Sequence, residues 1–205
     1  MSSINLRQMM APKREPLFKK ESFKAVVSIH PIQQRMMDFY SENPRCVIIT
    51  PRQCGKSLFL IMQAVLSYKP VVIVVPNETN REIMYGNLKQ FCNDNTIDYT
   101  ESPAQSGIVV NNKLIRIKSV DRVTSYILRT NESIYIDEYD YIDLKGLGLA
   151  DKTDVLLVGT GRNGHGTSAG LTVDEIGLFA GLNINDDGRW YGIYNRGFRK
   201  SYIWT

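Results

Sequence analysis

Gly55, Lys56 and Ser57 are consecutive in the stretch CVIITPRQCGKSLFL, residues 46–60. They match the end of the phosphate-binding loop pattern G-x-x-x-x-G-K-[ST]. The first glycine of that pattern is absent: Thr50 stands in its place, and an arginine, Arg52, lies inside the loop. A lysine here can reach the β- and γ-phosphates of a nucleotide, and the serine hydroxyl can ligate Mg²⁺. The backbone N–H groups of such a loop, here through Arg52, Gln53, Cys54 and Gly55, face inward, and the helix N-terminus that follows adds partial positive charge. Losing the first glycine makes a tight turn against phosphates harder, so the loop needs a second element before it reads as a nucleotide site.

The second element is SIYIDEYDYI, residues 133–142, an apolar run that ends in Asp137 and Glu138. An acid at the tip of a strand beside the loop strand can hold Mg²⁺. A second acid next to it can orient or deprotonate an attacking water. Acids after strands are common, so neither motif is decisive by itself. Two of them in chain order, each on a buried strand, point to a hydrolysable nucleotide. A third run, DVLLVGTG at 154–161, puts Thr160 at another strand tip. A small hydroxyl there can sense a γ-phosphate, and its release can move the segment that follows.

These residues need rigid elements to position them. CVIIT, VVIVV (71–75), the run into Asp137 and the run into Thr160 are short and continuously apolar, as expected of parallel strands buried on both faces. SLFLIMQAVLSY reads as an apolar helix after the loop. PIQQRMMDFYSE (31–42) carries Ile32, Met36, Phe39 and Tyr40 at helical spacing, with Pro31 suited to a helix start. NETNREIMYGNLKQFCND reads as an amphipathic helix with Asn77 or Thr79 as its cap. GIVVNNKLIRIKS predicts a β-hairpin over 107–118, turning at Asn111-Asn112. Strands alternating with helices predict an α/β fold: a mainly parallel central sheet covered by helices on both faces. The strand at 46–50 is expected next to the strand at 133–137.

The chain has 205 residues, is 43% hydrophobic and 22% charged, and carries a net charge of +4. That suits one α/β domain with a core of ordinary size. Residues 1–24 read as a basic N-terminal arm, with Lys13, Arg14, Lys19, Lys20 and Lys24, and residues 25–205 as the nucleotide-handling domain. The arm can be a solvated tail or a binding segment for a polyanion. The sequence lacks the ~18–20-residue apolar run of a membrane span, and the N-terminus lacks the apolar region of a secretory signal. Cys46, Cys54 and Cys92 have no metal-ligand spacing and read as reduced thiols.

PRQCGKS, with arginine and glutamine ahead of the glycine, resembles the deviant phosphate loop of viral terminase large subunits, the ATPases that pump DNA into procapsids. YIDE is similar to their second motif and VGTGRNG to their coupling motif. PIQQRMM resembles their adenine-recognising glutamine region, with Gln34 the better match and Gln33 the other option. The resemblance spans residues 30–165. It implies a P-loop NTPase of the additional-strand (ASCE, RecA-like) kind that uses ATP and Mg²⁺. In that reading Arg52, Gln53, Cys54, Gly55, Lys56 and Ser57 form the phosphate loop, with Arg52 facing the γ-phosphate. Ser57 and Asp137 hold the metal, Glu138 activates water, and Thr160 senses the γ-phosphate. An arginine in KSVDRVTSYILRT would complete the neighbouring subunit's site, Arg122 first and Arg129 second. The implied partners are double-stranded DNA, a portal on the procapsid and further copies of the chain in a ring of five, with a monomer in isolation. The implied location is the host cytoplasm. The family's usual nuclease domain is not expected within these residues.

Two other readings fit the same motifs. One is a helicase-like translocase on DNA or RNA, which normally has two such domains. The other is a non-catalytic nucleotide-binding scaffold, which the missing first glycine favours and the four residues Lys56, Ser57, Asp137 and Glu138 oppose.

Overall fold

A computed structural model describes residues 31–50, 55–123, 128, 131–144, 147–149, 152–160, 180–184, 189–194 and 197–202. The strands β1 (Arg45–Ile49), β2 (Val71–Val75), β6 (Ser133–Asp137) and β7 (Val155–Gly159) form from the apolar runs, and nearly every residue in them is buried. With β5 (Lys113–Ser119) they make a parallel set in the order β1-β7-β6-β2-β5. All five C-terminal ends therefore lie along one edge. In open parallel sheets, ligands bind at that edge.

Antiparallel strands extend the set on both sides. β3 (Tyr99–Ser102) and β4 (Gly107–Val110) continue from β5. The β4–β5 hairpin turns at Asn111 and Asn112, both with positive φ (50° and 61°), the two-residue geometry that matches the twist of paired strands. On the other side β8 (Ala180–Ile184) pairs with β1, followed by β9 (Arg189–Tyr194) and β10 (Gly197–Tyr202), to give ten strands among the described residues. The sequence reading left this last segment without elements.

The expected adjacency of β1 and β6 is corrected. β7 lies between them, pairing Ile49 with Gly159 on one side and Asp137 with Val158 on the other. An apolar run shows that a strand is buried, not which strand lies beside it. The consequence is local: the tip of β7, with Thr160, stands between the loop strand and the acids.

Among the described residues, three helices cover one face. α1 (Pro31–Glu42) buries Gln33, Met36, Met37 and Tyr40, a stripe at i, i+3, i+4 and i+7. α2 (Lys56–Leu66) buries Phe59, Leu60, Ile61, Met62, Ala64 and Val65. α3 (Glu78–Asp94) starts at Asn77, whose side-chain oxygen accepts from the Asn80 N–H at 2.9 Å, and buries Met84, Leu88, Phe91 and Cys92. Their buried apolar side chains share one core cluster with Ile48, Ile73, Ile117, Tyr135 and Leu156 of the sheet. The core continues on the opposite face of the sheet. Among the described residues it is closed by Val123, Leu128, Tyr139, Ile142, Leu144, Leu147 and Leu149, from a stretch with only short 3-10 turns. No helix among the described residues is long and apolar enough to cross a membrane.

At the far edge from the loop, Tyr40 of α1 donates to Asp154 Oδ1 at 2.5 Å and lies edge-on to Tyr135. Ser133 donates to the other oxygen of Asp154 at 2.8 Å. This buried network fixes α1 on the sheet at one end while Gln33 reaches the loop at the other.

Candidate nucleotide site

The loop strand β1 ends at Ile49, and the Thr50 N–H donates to the Gly159 carbonyl at 3.1 Å, joining the tips of β1 and β7. Gly55 opens α2 with φ 73°, a left-handed backbone that favours glycine. Lys56 is the first residue of the helix and is 5% exposed. Its Nζ lies 3.8 Å from Glu138 Oε1. The Ser57 hydroxyl donates to Asp137 Oδ2 at 2.8 Å. The Thr160 hydroxyl donates to Glu138 Oε2 at 3.0 Å. Five of the residues read from the sequence, at the start of α2 and at the ends of β6 and β7, thus meet at one edge.

Glu138 itself has φ 50° and ψ 46°. A left-handed backbone at a residue with a side chain costs roughly 1–3 kcal/mol and persists only where the surroundings hold it. The bend turns the chain out of β6 immediately after Asp137, so the two neighbouring acids diverge. Asp137 faces Ser57, whereas Glu138 faces Lys56 and Thr160.

The structure places the two glutamines differently from the sequence preference. Gln34, the preferred one, is exposed and donates to Asp38 Oδ1 at 2.7 Å within its own helix. Gln33 is 4% exposed, and its Nε2 donates to the Gly55 carbonyl at 3.3 Å. The buried stripe on α1 carried that signal: Gln33 is in phase with Met36, Met37 and Tyr40, and Gln34 is not. Arg122 is no part of the cluster. It is 65% exposed on a 3-10 turn after β5, with its Nε 3.6 Å from Glu78 Oε2, and β2 separates β5 from the acid-bearing strand. Arg52, Gln53, Cys54 and Arg129 lie outside the described residues. Asp140, singled out by nothing in the sequence, accepts a hydrogen bond from the Thr160 N–H at 2.7 Å.

Burial raises the Asp137 carboxyl to about 6, and the charge of Glu138 adds to this; the Ser57 hydroxyl, Lys56 and the Glu138 N–H pull the other way. A buried carboxylate beside a serine hydroxyl, still short of compensating positive charge, is the hard oxygen donor set that suits Mg²⁺. The residues present therefore fit the metal. Since the folded value lies above the ordinary one, the folded chain holds this proton more tightly than the unfolded chain. The associated stability is greatest below about pH 4 and is lost as the pH rises to about 6. Asp137→Asn is therefore expected to stabilise the nucleotide-free protein at pH 7.5, by on the order of 1–3 kcal/mol, and not at pH 4. Thermal unfolding at the two pH values checks this; an unchanged or lower Tm at pH 7.5 contradicts it.

A mainly parallel sheet, a glycine-lysine-serine helix start and two acids at the end of a strand one place removed from the loop strand fit an α/β P-loop NTPase fold. The chain is similar to the solved large terminase ATPase domain of Thermus phage P74-26, in an arginine-to-alanine mutant form. The two share 18% identity and a TM-score of 0.51, over 66% of this chain and 66% of that one. A second structure of that domain gives 19% identity and a TM-score of 0.49 over the same shares. The likeness is one of fold, over slightly less than two thirds of the solved domain. No protein-family description matches the sequence, and no curated protein does.

Proposed function

We propose that this chain is an ATP-hydrolysing motor domain of a viral DNA-packaging machine, coupling hydrolysis to movement of double-stranded DNA into a procapsid. The observation that carries the reading is the convergence of Lys56, Ser57, Asp137, Glu138 and Thr160 at one edge of a terminase-like sheet. Lys56, buried at the helix start, binds the β- and γ-phosphates. Ser57 and Asp137 hold Mg²⁺, which when bound neutralises developing charge on the phosphates. Glu138 orients a water against the γ-phosphate and accepts its proton. Its contact with Lys56 offers the lysine a counter-charge that phosphate can replace. Thr160 keeps one oxygen of Glu138 fixed. Gln33, against Gly55, takes the adenine-reading role in place of Gln34.

In this reading Arg52 lies within the phosphate loop, and Arg122 serves the neighbouring subunit of a ring of five assembled on a portal in the host cytoplasm. The test is ATP turnover alone, with duplex DNA and with single strands, over a range of salt. The expected result is Mg²⁺-dependent turnover stimulated by duplex of any sequence, with the stimulation falling steeply as salt rises, because a translocase grips backbone phosphates. Stimulation by single strands only supports a helicase-like translocase instead. No turnover under any of these conditions supports a nucleotide-binding scaffold.

A further inference from the structure

Asp140 is 7% exposed and lies two residues beyond Glu138. The 3-10 turn Tyr139–Tyr141 connects them, closed by Tyr141 N–H donating to the Glu138 carbonyl at 2.9 Å and Ile142 N–H to the Tyr139 carbonyl at 3.0 Å. From this turn Asp140 Oδ2 accepts the Thr160 N–H at 2.7 Å, while the Thr160 hydroxyl donates back to Glu138 Oε2 at 3.0 Å. The contacts form a closed circuit: Glu138, the turn, Asp140, the Thr160 backbone, the Thr160 side chain and Glu138 again. Two features hold the circuit shut. Tyr139, 1% exposed, is packed into the second-face core. Gly159 permits the close approach, since a Cβ there would lie 2.6 Å from Asp140 Oδ2 and 2.5 Å from the Tyr139 ring.

We propose that Asp140 is a positioning residue: by anchoring the Thr160 backbone to the turn after β6, it sets the Thr160 hydroxyl against Glu138 and keeps the two strand tips in step. The inference rests on the ATPase reading above. Neither end of this anchor needs to touch nucleotide. Without it, the Thr160 hydroxyl is no longer aimed at Glu138, and the left-handed turn that presents Glu138 loses a support. A small misplacement of a catalytic group lowers rate far more than binding. A buried acid that only stitches two strands together would instead lower stability and nucleotide affinity together.

The experiment compares Asp140→Ala, Asp140→Asn, Thr160→Val, the Asp140→Ala/Thr160→Val double variant and Glu138→Gln. The readouts are single-turnover ATP hydrolysis, affinity for a fluorescent ATP analogue, and Tm. Asp140→Ala is expected to slow hydrolysis by about 10–100-fold, the order of loss that a small misplacement of a reacting group causes, with analogue affinity unchanged. Asparagine keeps an oxygen acceptor for the Thr160 N–H, so Asp140→Asn is expected to recover most of the rate. The double variant is expected to be no slower than the slower single variant, because both act through one contact. If Asp140→Ala does not fold, Asp140→Leu, close to it in shape and lacking the acceptor, is measured against the same expectations. Wild-type hydrolysis without the acceptor, additive losses in the double variant, or affinity falling in step with Tm overturns the proposal. The wild-type chain and Glu138→Gln separate this from the underlying reading: no turnover by the wild-type chain sinks the ATPase reading itself, whereas normal hydrolysis by Glu138→Gln places the base elsewhere and leaves Asp140 no catalytic group to position, which overturns the proposal.

Discussion

Glu138→Gln is expected to bind ATP as the wild-type chain does and to hydrolyse it about 10²–10⁴-fold more slowly, the usual cost of losing a general base. The substitution keeps size and shape, and the amide oxygen can still accept from the Thr160 hydroxyl, which lies 3.0 Å from Glu138 Oε2. What it removes is the capacity to take a proton from water. It also removes the charge opposite Lys56 at 3.8 Å, so triphosphate affinity should not fall. Lys56→Ala does the reverse and weakens triphosphate binding itself. The two variants together separate the binding from the chemistry. Hydrolysis at the wild-type rate by Glu138→Gln would place the base elsewhere; Asp137, turned toward Ser57, would not be a ready replacement.

The second large effect concerns Arg122. It is exposed, in surface contact with Glu78, and two strands away from β6 in the sheet order. An arginine supplied in trans contributes about 10³–10⁵-fold in related phosphoryl-transfer systems, whereas a surface pair of this kind is worth roughly 0–1 kcal/mol. The expected result is that Arg122→Ala subunits and Lys56→Ala subunits are each inactive, and that a mixture regains part of the activity, because an intact phosphate loop can then meet an intact arginine next door. Full activity of Arg122→Ala alone would make it ordinary surface charge and shift attention to Arg129 or Arg52.

The parts of the fold that local chemistry determines were readable from the sequence. Apolar runs without alternation gave the buried strands, the 3.6-residue period gave α1 and α3, and Asn111-Asn112 gave the hairpin turn. Strand order was not readable in the same way. Placing β7 between β1 and β6 depends on how the crossovers pack, and nothing in VLLVG names its neighbours. β8 to β10 were hidden by composition, since glycine, asparagine and aspartate around AGLNI and RWYGIY look like turns.

The site divides along the same line. Lys56 and Ser57 stood out through the glycine-lysine-serine pattern, and Asp137, Glu138 and Thr160 because they close apolar runs. Gln33 could have been found by asking which glutamine shares the phase of Met36, Met37 and Tyr40. Asp140 could not: its role depends on the turn made by Glu138 at positive φ and on the close pass of Gly159, and neither is visible in a row of tyrosines and acids.

The central claim is that nucleotide and metal meet between the start of α2 and the tips of β6 and β7. The most direct measurement uses Glu138→Gln, which should retain ATP, crystallised with Mn²⁺ in place of Mg²⁺. The account predicts an anomalous peak beside the Ser57 hydroxyl and the Asp137 carboxylate, with the γ-phosphate against Lys56 and within reach of residue 138. A metal ion bound away from Ser57 and Asp137, or triphosphate seated elsewhere on the sheet, would contradict it.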